Sequence, residues 1–277
     1  MTASKHVAAT VAAVPAPAVA ARRRLDLAVK AWFAATALGQ LMFVAYIALF
    51  YGRLTLAGDF AGWNNRDLVT GYVAGDTAGN GNFAAHVLIA AVMTFAGLVQ
   101  LVPSIRARWP RLHRWSGRLF IATALFLAIG GLWLTWVRGS YMTVTGAVSI
   151  SIDAALIVGF GIMAWLTARK RDFAAHRRWA LRTFIAASAV WFMRLGYMVW
   201  GLTTGGLGST MGMSGPFDVF WGFATYLLPL AVLELYLRAE RGSPRAKTAM
   251  AVGLWFASAL ILLGGAAAWL LMWSPYI

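Results

Sequence analysis

His113-Arg114-Trp115-Ser116-Gly117-Arg118-Leu119-Phe120-Ile121-Ala122 is matched further along the chain by His176-Arg177-Arg178-Trp179-Ala180-Leu181-Arg182-Thr183-Phe184-Ile185-Ala186. With one extra Arg allowed in the second copy, both read His-Arg-Trp-x-x-Arg-x-Phe-Ile-Ala. Each copy follows a basic loop and opens a long apolar run. The pattern predicts a duplicated membrane hairpin that brings two matching polar sites to one membrane face.

Composition supports the membrane. The chain is 61% hydrophobic and only 12% charged, whereas soluble domains carry roughly 25% charged residues. Lipid, not a single soluble core, can cover that much apolar surface. The net charge of +15 would suit nucleic acid in another context. Here Lys and Arg cluster between apolar runs, where they set topology. Nucleic acid is therefore excluded as a partner, and the lipid bilayer with its anionic head groups is expected. There is no cysteine. Disulfides, thiolate metal sites, iron–sulfur clusters and haem attached through Cys-x-x-Cys-His are ruled out. A metal or haem would need His, Met or oxygen ligands.

An all-α integral membrane protein with seven spans follows, near 29–51, 83–103, 117–137, 146–168, 180–201, 217–237 and 248–272. Residues 1–28 read as a flexible cytoplasmic tail containing His6, and 29–277 as the membrane domain. A signal peptide places its charge before its apolar run, and Arg22, Arg23 and Arg24 reverse that order. The tail, 104–116, 169–179, 238–247 and the adjoining span ends hold twenty of the 24 Lys and Arg. The positive-inside rule then puts the N-terminus in the cytoplasm and the C-terminus outside, the parity of seven spans. A bacterial inner membrane is the expected location. Spans two and three pair with four and five as a parallel repeat, related by an axis along the membrane normal.

Two polar groups carry candidate chemistry. At the inner face, Arg114 and Arg118 share one helix face, as do Arg178 and Arg182. Each pair adds its charge to the positive end of a helix. His113 and His176 stand at matching depth. Gly117 and Ala180 leave room for a flat ligand or for close helix packing. Glu234, inside span six, needs a partner, and Arg182, Arg118 or a protonated His are the natural ones. Toward the outer face stand His86, Asp153, Arg194 and Tyr197. Depth allows Asp153 and Arg194 to pair, with His86 as the titratable member. Gly130-Gly131 marks close helix contact. Asp76, Asn80 and Asn82 do not have the spacing of a calcium loop.

Three functions remain open. The first is a redox or cofactor-binding subunit with b-type haem or quinone at His113 and His176. Arg114, Arg118, Arg178 and Arg182 would neutralise propionates or a quinone-derived anion. The second is a proton-coupled small-molecule carrier using both polar groups. The third is a non-catalytic accessory or assembly subunit of a larger membrane complex. No stand-alone catalytic activity is expected, and the sequence carries no metal-ligand motif.

His86, Arg111 to Arg118, Ala175 to Arg182, Arg194-Leu195 and Leu233-Glu234 together resemble a bacterial multi-pass membrane family, domain of unknown function 2306. The resemblance covers about 80–240. It implies a defined polar constellation within a helical bundle and no reaction.

Overall fold

The computed structural model describes residues 16–66 and 70–277. It is helical throughout. The elements are α1 (Ala16–Tyr46), α2 (Arg53–Ala57), α3 (Thr77–Leu101), α4 (Pro103–Arg108), α5 (Pro110–Trp136) and α6 (Val144–Arg169). They continue with α7 (Phe173–Ala187), α8 (Ala189–Thr204), α9 (Pro216–Ala239) and α10 (Pro244–Ala267). A π-helical segment, Ile47–Gly52, joins α1 to α2, and another, Ala268–Trp273, extends α10.

Helix ends follow local chemistry. Asp76, Thr143, Asp172 and Ser243 accept hydrogen bonds from backbone N–H groups in the first turns of α3, α6, α7 and α10. These caps satisfy donors that a helix start leaves free. Pro103, Pro110, Pro216 and Pro244 stand at helix starts, where a missing N–H costs nothing. Gly205 ends α8 in the left-handed region, at φ 68°.

Six helices are long and apolar enough to cross a membrane, and α7 with α8 makes a seventh if that bent pair crosses as one span. α1 packs along α10, α3 along α5, and α6 along both α5 and α7. Phe95, Phe126, Ile129, Ile150 and Leu227 stay exposed on the outside of the bundle, as a lipid-facing surface requires.

Two expectations are corrected. Residues 16–28 are not tail: α1 starts at Ala16, Ala21 is buried, and Leu25 and Ala28 pack with Ala251 and Leu254 of α10. Small side chains let the two helices approach closely there. Residues 1–15, with His6, lie outside the described residues. The fifth span is not one straight helix from 180 to 201. α7 and α8 meet at 53°, with Ser188 at the break. The Ser188 hydroxyl donates back to the Phe184 carbonyl (2.7 Å) and accepts from Gln40 Nε2 of α1 (3.0 Å). Thr225 Oγ1 of α9 donates to the Ala189 carbonyl (2.7 Å). A side chain inserted into the backbone ladder is a recognised cause of sharp bending.

The duplication is visible in the packing. Phe120 and Phe184, equivalent in the two copies, meet at 6.5 Å between ring centroids. Both rings lie against Gly97, where a Cβ would stand 3.0 Å from Phe120 and 3.2 Å from Phe184. Arg118 lies over Trp115 at 4.8 Å, and Arg182 over Trp179 at 4.6 Å.

Candidate functional site

The two copies reach the inner end of the bundle on α5 and α7. His176 Nδ1 lies 2.9 Å from the Ala164 carbonyl of α6. A carbonyl only accepts, so Nδ1 carries the proton, and in the neutral ring Nε2 keeps the lone pair. His113 is held differently. Its backbone carbonyl accepts from Gln100 Nε2 of α3 (2.9 Å), and its buried Nδ1 has no partner among the described residues. The charges of Arg106 and Arg114 reach the His113 ring.

Gly117 serves packing, not a flat ligand. A Cβ there would stand 2.8 Å from Gln100 Oε1. The same glutamine donates to Ser116 Oγ at 2.6 Å, tying α3 to the first copy.

The second copy is tied to α9 by carboxylates. Arg182 Nε donates to Glu234 Oε1 (2.7 Å), the pairing expected for that acid, although the Glu234 side chain is 39% exposed. The extra arginine of the second copy, Arg177, donates to Glu240 Oε2 (2.8 Å) and Oε1 (3.0 Å) and to the Tyr236 hydroxyl (3.1 Å). Burial by itself would raise the Glu240 carboxyl. The hydrogen bonds and charge of Arg177, helped by Tyr236, outweigh it and hold that carboxyl below its usual range. No such partner meets the first copy: among the described residues no carboxylate pairs with Arg111, Arg114 or Arg118. These arginines and Trp115 are exposed, whereas Arg182 and Trp179 are half-covered. Arg178 is half-covered as well.

The outer group does not assemble. Asp153 and Arg194 form no ion pair, because their helices turn them to different neighbours. Asp153 is buried on α6 with Oδ1 unpartnered, near the equally unpartnered Tyr226 hydroxyl of α9. Arg194 points to α1, over the Phe43 ring. Tyr197 donates to Asp218 Oδ1 (3.1 Å). His86 packs its ring against Gly131, and Asn82 donates to the Gly130 carbonyl (3.1 Å). Gly130-Gly131 is thus a close helix contact.

Several residues escaped the sequence reading. Asp218 accepts from the Gly215 and Thr210 N–H groups and from Ser209, closing the loop before α9. Arg138 binds Asp76 (2.8 Å), Asn80 Oδ1 (2.7 Å) and the Gly71 carbonyl (3.2 Å) at the outer end of α5. Asp76 and Asn80 therefore organise a loop. Arg177 was visible as an insertion and Asp218 as an acid just after Pro216; neither carried a signal naming its partner. Among the described residues no three of His, Asp and Glu gather as a metal-ligand set.

Residues 83–213 match the model of a family described as "Predicted membrane protein (DUF2306)", a membrane family of unknown function. The matched segment includes both His-Arg-Trp copies, His86, Asp153 and Arg194, and ends before Glu234. No curated protein and no solved structure matches the chain.

Proposed function

We propose that this multi-pass protein is a redox or cofactor-binding subunit of a bacterial inner membrane, holding a b-type haem or a quinone at the cytoplasmic face. The observation that carries the reading is the His176 ring. Its Nδ1–H is fixed on the Ala164 carbonyl, which leaves Nε2 to face a ligand. Metal-binding histidines are commonly oriented this way. His113, on the repeat-related helix, has an unpartnered ring nitrogen. A haem would supply electron transfer when bound. His113 and His176 would hold it, and the unpaired Arg114, Arg118 and Arg178 would meet its carboxylates. Arg182 is committed to Glu234 and leaves the set first drawn from sequence.

The test is an absorption spectrum of protein made with ample haem and purified in mild detergent, oxidised and then dithionite-reduced. A Soret band with sharp reduced α and β bands, lost in His113→Ala and His176→Ala, is expected. A featureless spectrum removes haem, and titration with a quinone analogue then decides the remainder. One observation favours a second reading, a proton-coupled carrier: Asp153 and Tyr226 are buried together without partners. Asp153→Asn would then stop transport in a folded protein. An accessory role in a larger complex would show as a stable co-purifying partner with no cofactor.

A further inference from the structure

The outer half of the bundle gathers donors without an opposing charge. Among the described residues Arg194 of α8 makes one hydrogen bond, from Nη1 to the Val190 carbonyl (2.9 Å). Its guanidinium carbon stands 5.1 Å from the Phe43 ring centroid. The charge of Arg66 reaches it, and the Tyr46 and Tyr51 hydroxyls lie nearby. Arg66 reaches in from the loop before α3. It stands 5.6 Å from the Tyr46 ring and 4.1 Å from the Tyr276 ring, and donates Nη1 to the Met272 carbonyl (2.6 Å).

A third donor completes the group. Trp273 stacks on Tyr46 at 5.9 Å, is fully buried, and its indole N–H has no partner among the described residues. Tyr46 precedes one π-helical segment, Tyr51 lies within it, and Trp273 ends the other. Such segments often accompany functional sites. Among the described residues neither arginine has a carboxylate within ion-pair distance. A charge at this depth needs a partner or a water-filled cavity. Two guanidiniums near one phenol repel each other until an anion joins them.

We infer that Arg66, Arg194, Tyr46 and Trp273 bind a small monovalent anion, either a halide or the carboxylate of a short organic acid. Phe43 and Trp273 pack in direct ring contact, 5.4 Å between centroids, so an ion would lie at the ring edges beside the guanidiniums, where a lipid head group has no room between the rings. Arg66, half-exposed, stands on the outer side, where an ion would enter. The site shares no residue with the inner histidines, so it stands or falls independently of the cofactor proposal.

The experiment uses the full chain in mild detergent at constant ionic strength. The unfolding midpoint is followed while gluconate is replaced by chloride, bromide, formate or acetate. A ligand that binds only the folded state raises the midpoint saturably. The expected result is a saturable rise with at least one small anion; halides or carboxylates alone would identify the source. Arg194→Gln and Arg66→Gln should each weaken the effect about tenfold or more. Gly201→Ala, where a Cβ meets nothing within 4 Å, should leave it unchanged. If Arg194→Gln does not fold, equilibrium dialysis of labelled chloride against wild-type protein, with bromide and formate as competitors, decides in its place. No saturable rise and no saturable uptake would overturn the inference, as would a full effect in Arg194→Gln.

Discussion

Gly196→Ala should separate α8 from α9. A Cβ at this position would overlap Trp221 Cζ2 and stand 2.6 Å from its Nε1, far inside ordinary contact. The indole cannot swing aside freely. Its Nε1–H donates to the Met193 carbonyl of α8 (3.0 Å), and its ring is stacked on Phe217 at 6.0 Å and 7°. Either α9 moves out or the indole turns and gives up its hydrogen bond. Overpacking a tight contact costs about 1–3 kcal/mol, and a lost buried hydrogen bond about 1 kcal/mol. The expected loss is therefore about 2–4 kcal/mol, less the small helical advantage of Ala over Gly. Unfolding in SDS-containing mixed micelles, followed by circular dichroism, measures it. Gly201→Ala is the control, because a Cβ there meets nothing within 4 Å; it should match or exceed wild type. In a Trp221→Leu background the Gly196→Ala penalty should largely vanish. An equal penalty in both backgrounds would refute the close-approach explanation.

Three further outcomes are expected. Arg138→Leu removes a guanidinium whose side chain is only 6% exposed and leaves Asp76, 30% exposed, without its cation; the loss should be about 2–3 kcal/mol, with faster proteolysis between residues 58 and 76. The Glu240 carboxyl is held below its usual range, so its bond to Arg177 contributes fully above the unfolded-state value and is lost as pH falls through the lower folded-state value. Unfolding midpoints measured on descending pH should show that acid-side loss in wild type and a smaller one in Arg177→Gln. Asp153 has no cation within ion-pair distance among the described residues, so Asp153→Asn should be at least as stable as wild type at pH 8; a clear destabilisation in the same assay would point to a missed partner.

The spans were legible because the bilayer writes them as length and hydropathy. The duplication was legible because Trp and Arg three residues apart fall on one helix face, and both copies use that spacing. What escaped depends on direction around a helix, which depth does not give. Asp153 and Arg194 share a depth, yet one turns to Tyr226 and the other to Phe43. The early start of α1 escaped because Leu25 and Ala28 are covered by a helix from the far end of the chain. The break at Ser188 depends on Gln40 and Thr225, both distant in sequence. A lone serine in an apolar run does not announce such partners.

The duplicated segment has diverged in what its charges meet, and that separates fold from ligand. α9 and the residue that caps it supply Glu234 and Glu240 to Arg182 and Arg177 of the second copy, so those arginines hold helices together. The first copy faces no carboxylate among the described residues, and its contact with the bundle runs through the neutral Gln100. Removing charge should then have opposite consequences at equivalent positions. Arg182→Gln leaves Glu234 unpaired and should lower the unfolding midpoint. Arg118→Gln takes away an exposed cation and should change stability by no more than about 0.5 kcal/mol, while weakening any anionic ligand held at the inner face. Equal loss of stability in both would mean that the first copy has a partner of its own, and that the cations beside His113 are structural after all.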